Sequence, residues 1–181
     1  MKKSQIRKKF LKLREKKLQK INLINFNNII KLLKKKTIKG RVVGGYYPYN
    51  NELDCIQILK KLEKKNYIIS LPRIKNNFQM DFIQWSFKEP LVINKFGIPE
   101  PSNGKIKFPD ILLIPLLSFD KKLNRVGYGG GFYDRYIHKI KRKKKPLLVG
   151  LAYSFQKVKK IPINEHDKKL DFVVTERNII E

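Results

Sequence analysis

The chain has 181 residues and a mass of 21.5 kDa, enough for one domain with a sizeable core and too short for two full enzyme domains. Apolar residues make up 41% and charged residues 31%, which excludes wholesale disorder, and no run approaches the roughly 18 consecutive apolar residues of a membrane span. The formal net charge is +27, with 34 Lys against 8 Arg beside 23 Ile and 14 Asn. A chain selected for phosphate or base contacts favours the bidentate fork of arginine. The skew therefore reads as drift toward A/T-rich codons, with lysines on solvated faces; a Lys-rich RNA-binding accessory protein is the alternative from another class. The single cysteine, Cys55, allows neither an internal disulfide nor a Cys/His metal set, and MKKSQIRKKFLKLREKK lacks the apolar core of a signal peptide. The expectation is a reduced, cytoplasmic monomer with no membrane association.

In chain order, residues 4–20 set Ile6, Phe10, Leu13 and Leu18 among Lys and Arg at approximately helical spacing, predicting a basic amphipathic helix with Ser4 as N-cap. A second helix is predicted over 26–36. RVVGGYY (41–47) reads as a buried strand ending in a loop. From 52 to 65, Leu53, Ile56, Leu59 and Leu62 recur every three residues, predicting a helix with Glu52 in its first turn. YIISLPR (67–73) reads as a strand stopped by Pro72, and 80–87 as another, followed by the turn-rich FGIPEPSNGKIKFPD. ILLIPLL (111–117) suits a central parallel strand buried on both faces. A helix over 132–140 and strands at LLVGLAY (147–153) and DFVVT (171–175), the last, complete the series; KIKRKKK (139–145) is expected to end a helix and face water. Strands alternating with helices predict a single α/β domain of three layers, with helices on both faces of a mostly parallel or mixed sheet.

Only 15 acidic residues remain, so their positions carry information; Asp110, Asp120, Asp134, Asp167, Asp171 and Glu176 fall around a glycine cluster. In RVGYGGGFYDR (125–135), four glycines lie within five residues between a predicted strand and a predicted helix. The backbone N–H groups of such a loop, with Gly130 at positive φ, and the helix start behind it can face an anion. A plain glycine turn is the other reading, since the spacing matches neither common nucleotide-loop pattern. Arg125 and Arg135, flanking Asp134, favour a phosphate clamp with Mg²⁺. No Ser/His/Asp or Cys/His set suggests a nucleophile: Cys55 reads as core, His138 and His166 as surface.

The string RVGYGGGFYDRY resembles the signature of the 5-formyltetrahydrofolate cyclo-ligases, also called methenyltetrahydrofolate synthetases. Further stretches match in order: Lys3 and Arg7, Tyr47 with Glu52 and Asp54, LPR (71–73), Met80 and Phe82, GIPEP (97–101), PLLSFD (115–120), and NEHD (164–167) with Leu170 and Asp171. The resemblance spans nearly the whole chain. It implies ATP-dependent cyclisation of 5-formyltetrahydrofolate to 5,10-methenyltetrahydrofolate with release of ADP and phosphate, the formyl oxygen attacking the γ-phosphate and N10 then closing the ring. It also implies that Lys3 and Arg7 reach the nucleotide phosphates. Arg125 is then the catalytic cation, holding ATP together with Gly127, Tyr128, Gly129, Gly130, Gly131, Phe132, Tyr133 and Asp134. Asp134 and Asp167 would bind Mg²⁺, and Tyr47 and Glu52 would contact the folate. Met80, Phe82 and Trp85 either wall the pterin pocket or pack the core. Lys121 to Asn124 stand where the family usually has a glycine before the arginine, and Asn124 is expected to supply the left-handed residue. An inactive folate-binding scaffold is the remaining alternative.

Overall fold

A computed structural model describes residues 1–17, 26–35, 38 and 40–181. The run Ile111–Pro115 sorts its side chains by parity, Ile111 and Leu113 into one apolar cluster and Leu112 and Ile114 into another. That is the two-residue period of a strand covered on both faces.

The elements are α1 (Lys3–Lys17), α2 (Phe26–Lys35), β1 (Val42–Gly44), α3 (Ile56–Glu63), β2 (Ile68–Ile74), β3 (Met80–Gln84), β4 (Leu91–Ile93), β5 (Pro99–Pro101), β6 (Ile106–Lys107), β7 (Ile111–Pro115), β8 (Ser118–Phe119), β9 (Arg125–Val126), α4 (Phe132–Ile140), β10 (Leu147–Leu151), β11 (Phe172–Val174) and β12 (Ile179–Ile180). The main sheet runs β12-β11-β10-β7-β1-β2-β3-β6. The pairings among β1, β2, β7, β10 and β11 are parallel, and β3, β6 and β12 join antiparallel. Helices α2 and α3 bury Ile29, Leu32, Leu59 and Leu62 on one face, and α4 buries Tyr136, Ile137 and Ile140 on the other, giving the three expected layers. Ile6 and Phe10 of α1 pack instead on Leu117, Val126 and Ile161, beyond the carboxyl end of β7. From β1 the chain builds outward to β6 and returns at β7 on the opposite side of β1, so the sheet's switch point lies between β1 and β7. In such sheets the crevice outside the strands' carboxyl ends is where ligands bind.

Several local expectations are corrected. Ser4 is not the cap of α1: Gln5 Oε1 accepts from the Lys2 backbone N–H at 2.8 Å, one residue before the helix begins. Residues 18–20 of that predicted helix, Leu18 included, and residue 36 of the next lie outside the described residues. Helix α3 starts at Ile56 rather than Glu52, because Asp54 Oδ1 takes the Ile56 N–H at 2.7 Å. Pro72 does not stop β2. Ile68 N–H donates to Arg41 O and Ser70 O accepts from Gly45 N–H, so even-numbered residues face β1. Pro72, next in that series, has no N–H to give and ends only the pairing with β1, while the ladder to β3 continues to Ile74 opposite Met80. DFVVT is not the final strand, since β12 adds an antiparallel edge. Cys55 sits in the core beneath α3 with no exposed surface, its thiol donating to Tyr46 O at 3.0 Å, and burial pushes its pKa far above the thiol range. No helix among the described residues is long and apolar enough to cross a membrane.

Candidate active site

Helix α1 lies across the switch point and presents one face to it. Steps of four and seven residues put Lys3, Arg7 and Arg14 within about 40° of one another around the helix. Lys3 Nζ pairs with Asp167, Arg7 Nε donates to Gly127 O at 2.9 Å, and Arg14 Nη1 donates to Tyr128 Oη at 2.9 Å. All three therefore engage the glycine loop or the acidic turn beside it.

The loop is shaped by Gly129 at φ +109° and Gly131 at φ +67°; Gly130, expected at positive φ, is not. A side chain at Gly129 would stand 3.2 Å from the Arg7 guanidinium carbon, so glycine there permits the approach of α1. Gly131 is the N-cap of α4 and no side chain caps that helix, so the N–H groups of its first turn are left for another acceptor. Arg125, 9% exposed, forks between Asp134 Oδ1 at 2.7 Å and the Lys168 carbonyl, and Asp134 Oδ1 also accepts from Lys168 N–H at 2.9 Å. Asp167 accepts from Asn164 N–H at 2.7 Å beside its Lys3 pair. The turns carrying Asp134 and Asp167 are thus tied together through Arg125 and Lys168. Arg135 is no clamp. Its guanidinium donates to Phe78 O at 3.0 Å and to Gly130 O and lies over the Phe78 and Phe132 rings.

Across the crevice, the segment after β1 carries Tyr47, 37% exposed, and Glu52, 8% exposed. Glu52 Oε2 accepts from Tyr49 N–H at 3.1 Å. Burial pushes its pKa up to about 7, against the opposing pull of that N–H and of the Arg14 charge. Met80 and Phe82 do not share a pocket with Trp85. The first two belong to the cluster under α4 and Trp85 to the cluster under α2 and α3, because residues of opposite parity on a strand face opposite ways. Trp85 is also fixed by Nε1 donating to Glu89 O at 3.0 Å. The left-handed residue before Arg125 is Leu123 at φ +63°, not Asn124. Asn124 instead gives its backbone and side-chain N–H groups to the Asp120 carboxylate, which also holds Ile161 N–H.

Sequence reading missed Arg14, buried at 1% exposure and bonded to Tyr128 of the glycine loop, Asn50 of the segment after β1 and Leu116 just past β7. Its signal was available: it is one of only 8 arginines among 42 cations and stands two turns beyond Arg7. A cavity of about 540 Å³ elsewhere, between Asp110, Lys144, Leu147 and Asp171, opens at the amino ends of β7 and β10. Its carboxylates already hold Val42 and Leu148 N–H groups and Lys144.

The model of the 5-formyltetrahydrofolate cyclo-ligase family matches residues 1–176. A 5-formyltetrahydrofolate cyclo-ligase of Haemophilus influenzae is 33% identical over 139 residues, 73% of this chain and 74% of that one. The solved 5,10-methenyltetrahydrofolate synthetase of Aquifex aeolicus superposes with a TM-score of 0.75 at 30% identity, covering 99% of this chain and 92% of that one. The Mycoplasma pneumoniae 5,10-methenyltetrahydrofolate synthetase gives 0.73 at 25% identity, covering 97% and 99%. Nothing in these matches supports an RNA-binding accessory protein. Signature loop, three-layer fold and whole-length match agree, and the chain belongs to the 5-formyltetrahydrofolate cyclo-ligase family.

Proposed function

We propose that this enzyme uses ATP to close 5-formyltetrahydrofolate to 5,10-methenyltetrahydrofolate, releasing ADP and phosphate. The observation that carries the reading is that one face of α1 brings Arg7 onto the glycine loop and Lys3 onto Asp167 in the acidic turn beside it, at the uncapped start of α4. Cations, loop N–H groups and a helix N-terminus together form an anion site of the kind a triphosphate needs. The buried Glu52, 8% exposed on the other side of Arg14, offers a carboxylate to the N–H edge of a pterin.

The reaction asks for positioning and charge neutralisation. The loop and Arg7 hold the phosphates so that the formyl oxygen meets the γ-phosphorus in line. Arg125, fixed by its fork to Asp134 and Lys168, supports charge as the phosphoryl group moves. N10 then attacks the activated carbon, and phosphate leaves with the former formyl oxygen.

Among the described residues no group of three or more His, Cys, Asp or Glu side chains could hold a metal ion. Mg²⁺ commonly uses one or two carboxylates plus substrate phosphates, and both hydrogen bonds to Asp134 go through Oδ1. That donor set fits a metal arriving with ATP, held by Asp134 and Asp167. When bound, Mg²⁺ supplies charge neutralisation at the phosphates. The test is growth of methenyl absorbance with 5-formyltetrahydrofolate, ATP and Mg²⁺, each omitted in turn. Growth only in the complete mixture is expected; folate binding with no turnover would leave an inactive scaffold.

A further inference from the structure

Arg14 is a cation with 1% of its surface exposed and, among the described residues, no carboxylate within ion-pair distance. Its donors go instead to three separate segments of the site. Nη1 donates to Tyr128 Oη at 2.9 Å and reaches Asn50 O at 3.5 Å, Nη2 donates to the Leu116 carbonyl just past β7, and Nε is buried with no hydrogen-bond partner among the described residues. Tyr128 belongs to the glycine loop, and its hydroxyl also lies 3.3 Å from Tyr49 O and 3.4 Å from Asn50 O. Those two carbonyls face Tyr128 from a turn in which Asn50 and Asn51 are both left-handed, at φ +45° and +59°. Two consecutive non-glycine residues in that region store strain, which the surrounding contacts must hold. The same turn ends at Glu52, whose N–H donates to Tyr49 O at 3.0 Å while its carboxylate takes the Tyr49 N–H. A continuous hydrogen-bonded path therefore runs from the glycine loop through Tyr128 and Arg14 to the strained Asn50–Asn51 turn and Glu52.

We infer that Arg14 is a positioning residue that couples the two substrate sites, so that a nucleotide seated on the glycine loop sets the Glu52 turn in its folate-binding arrangement. The inference rests on the two-substrate reading above. A nucleotide that orders Tyr128 fixes the hydroxyl that Arg14 and the Asn50 turn share, so folate binding no longer bears the cost of ordering them. Linkage makes the effect reciprocal. An arginine that served stability alone would, on substitution, lower the melting temperature and weaken both ligands without changing how each affects the other.

The experiment titrates 5-formyltetrahydrofolate by calorimetry with and without a saturating non-hydrolysable ATP analogue and Mg²⁺. In the native protein the analogue is expected to tighten folate binding by at least about fivefold. In Arg14→Lys, which keeps the charge and loses the fork, the ratio is expected to fall below about twofold. Tyr128→Phe removes only a hydroxyl from an exposed loop residue, should abolish the same ratio, and carries the test alone if Arg14→Lys fails to fold. The double variant should lose no more coupling than either single one. A native-sized ratio in both single variants overturns the inference, as does a native protein that binds both ligands independently. A native protein that binds neither ligand fails the functional reading itself, and the inference falls with it.

Discussion

At Glu52, function and stability pull in opposite directions. Its carboxyl titrates near pH 4.5 when exposed and is pushed up to about 7 by burial in the folded chain. Between those values the folded state binds the extra proton, so the stability this group contributes is full below about pH 4.5 and lost as pH rises through about 7. The ionised form costs roughly 3 kcal/mol at pH 8. Glu52→Gln should therefore melt higher than the native protein at pH 8, with the difference shrinking toward pH 5, as differential scanning calorimetry at the two pH values will show. Its folate binding should be lost, whereas the native protein's should weaken about tenfold from pH 8 to pH 6 if the ionised carboxylate is the acceptor. Arg125 poses a different demand, since its two bonds run to a carboxylate and a carbonyl in a fixed fork. Arg125→Lys should lower kcat about 10²- to 10³-fold and raise the KM for ATP much less, measured by steady-state absorbance. Both residues were legible in the sequence as motif positions. Burial of Glu52 was not, because an acid following a loop looks the same whether its turn ends in solvent or folds under Arg14.

Helix α1 behaves as a strap whose apolar face packs on Leu117, Val126 and Ile161 and whose basic face reaches the loop. Arg7→Gln removes the bond to Gly127 O and leaves Ile6 and Phe10 in place. It should raise the KM for ATP about tenfold with little change in melting temperature, since a charge-assisted bond at a partly exposed site serves binding more than folding. Periodicity made the helices and the central strands legible, because apolar residues of β7 and α4 recur at the periods their layers require. It failed at their ends. Where α3 begins was decided by Asp54 capping Ile56, and how far β2 runs was decided by which neighbour Pro72 faced, a fact of sheet order invisible along the chain. The same limit hid Trp85 from Met80, which the strand's parity sends to opposite faces.

Over the whole molecule, a formal charge of +27 works against compactness. Raising salt from about 0.01 to 0.15 M shortens the Debye length from about 30 to about 8 Å, so the melting temperature should rise with sodium chloride in a scanning melt. The run 139–145, expected from sequence only to end a helix and face water, is not uniformly idle. Lys144 Nζ reaches Asp110 at 2.6 Å and Phe108 O at 2.8 Å, and Lys139 pairs with the buried Asp81 at 2.7 Å. Lys144→Gln should lower the melting temperature measurably, while changing Lys141, Lys143 and Lys145 together to Gln should leave turnover within about twofold. The lone thiol beneath α3 supplies a clock for such comparisons. Cys55 is sealed in the core, donates its proton to Tyr46 O, and is held protonated by burial, so an alkylating reagent can reach a reactive thiolate only in molecules that have opened. With one sulfhydryl in the chain, each alkylation records one opening event. Labelling rates in native buffer would then rank the variants by how often each molecule opens, and a ligand that closes the molecule would slow the chemistry at a residue it never touches.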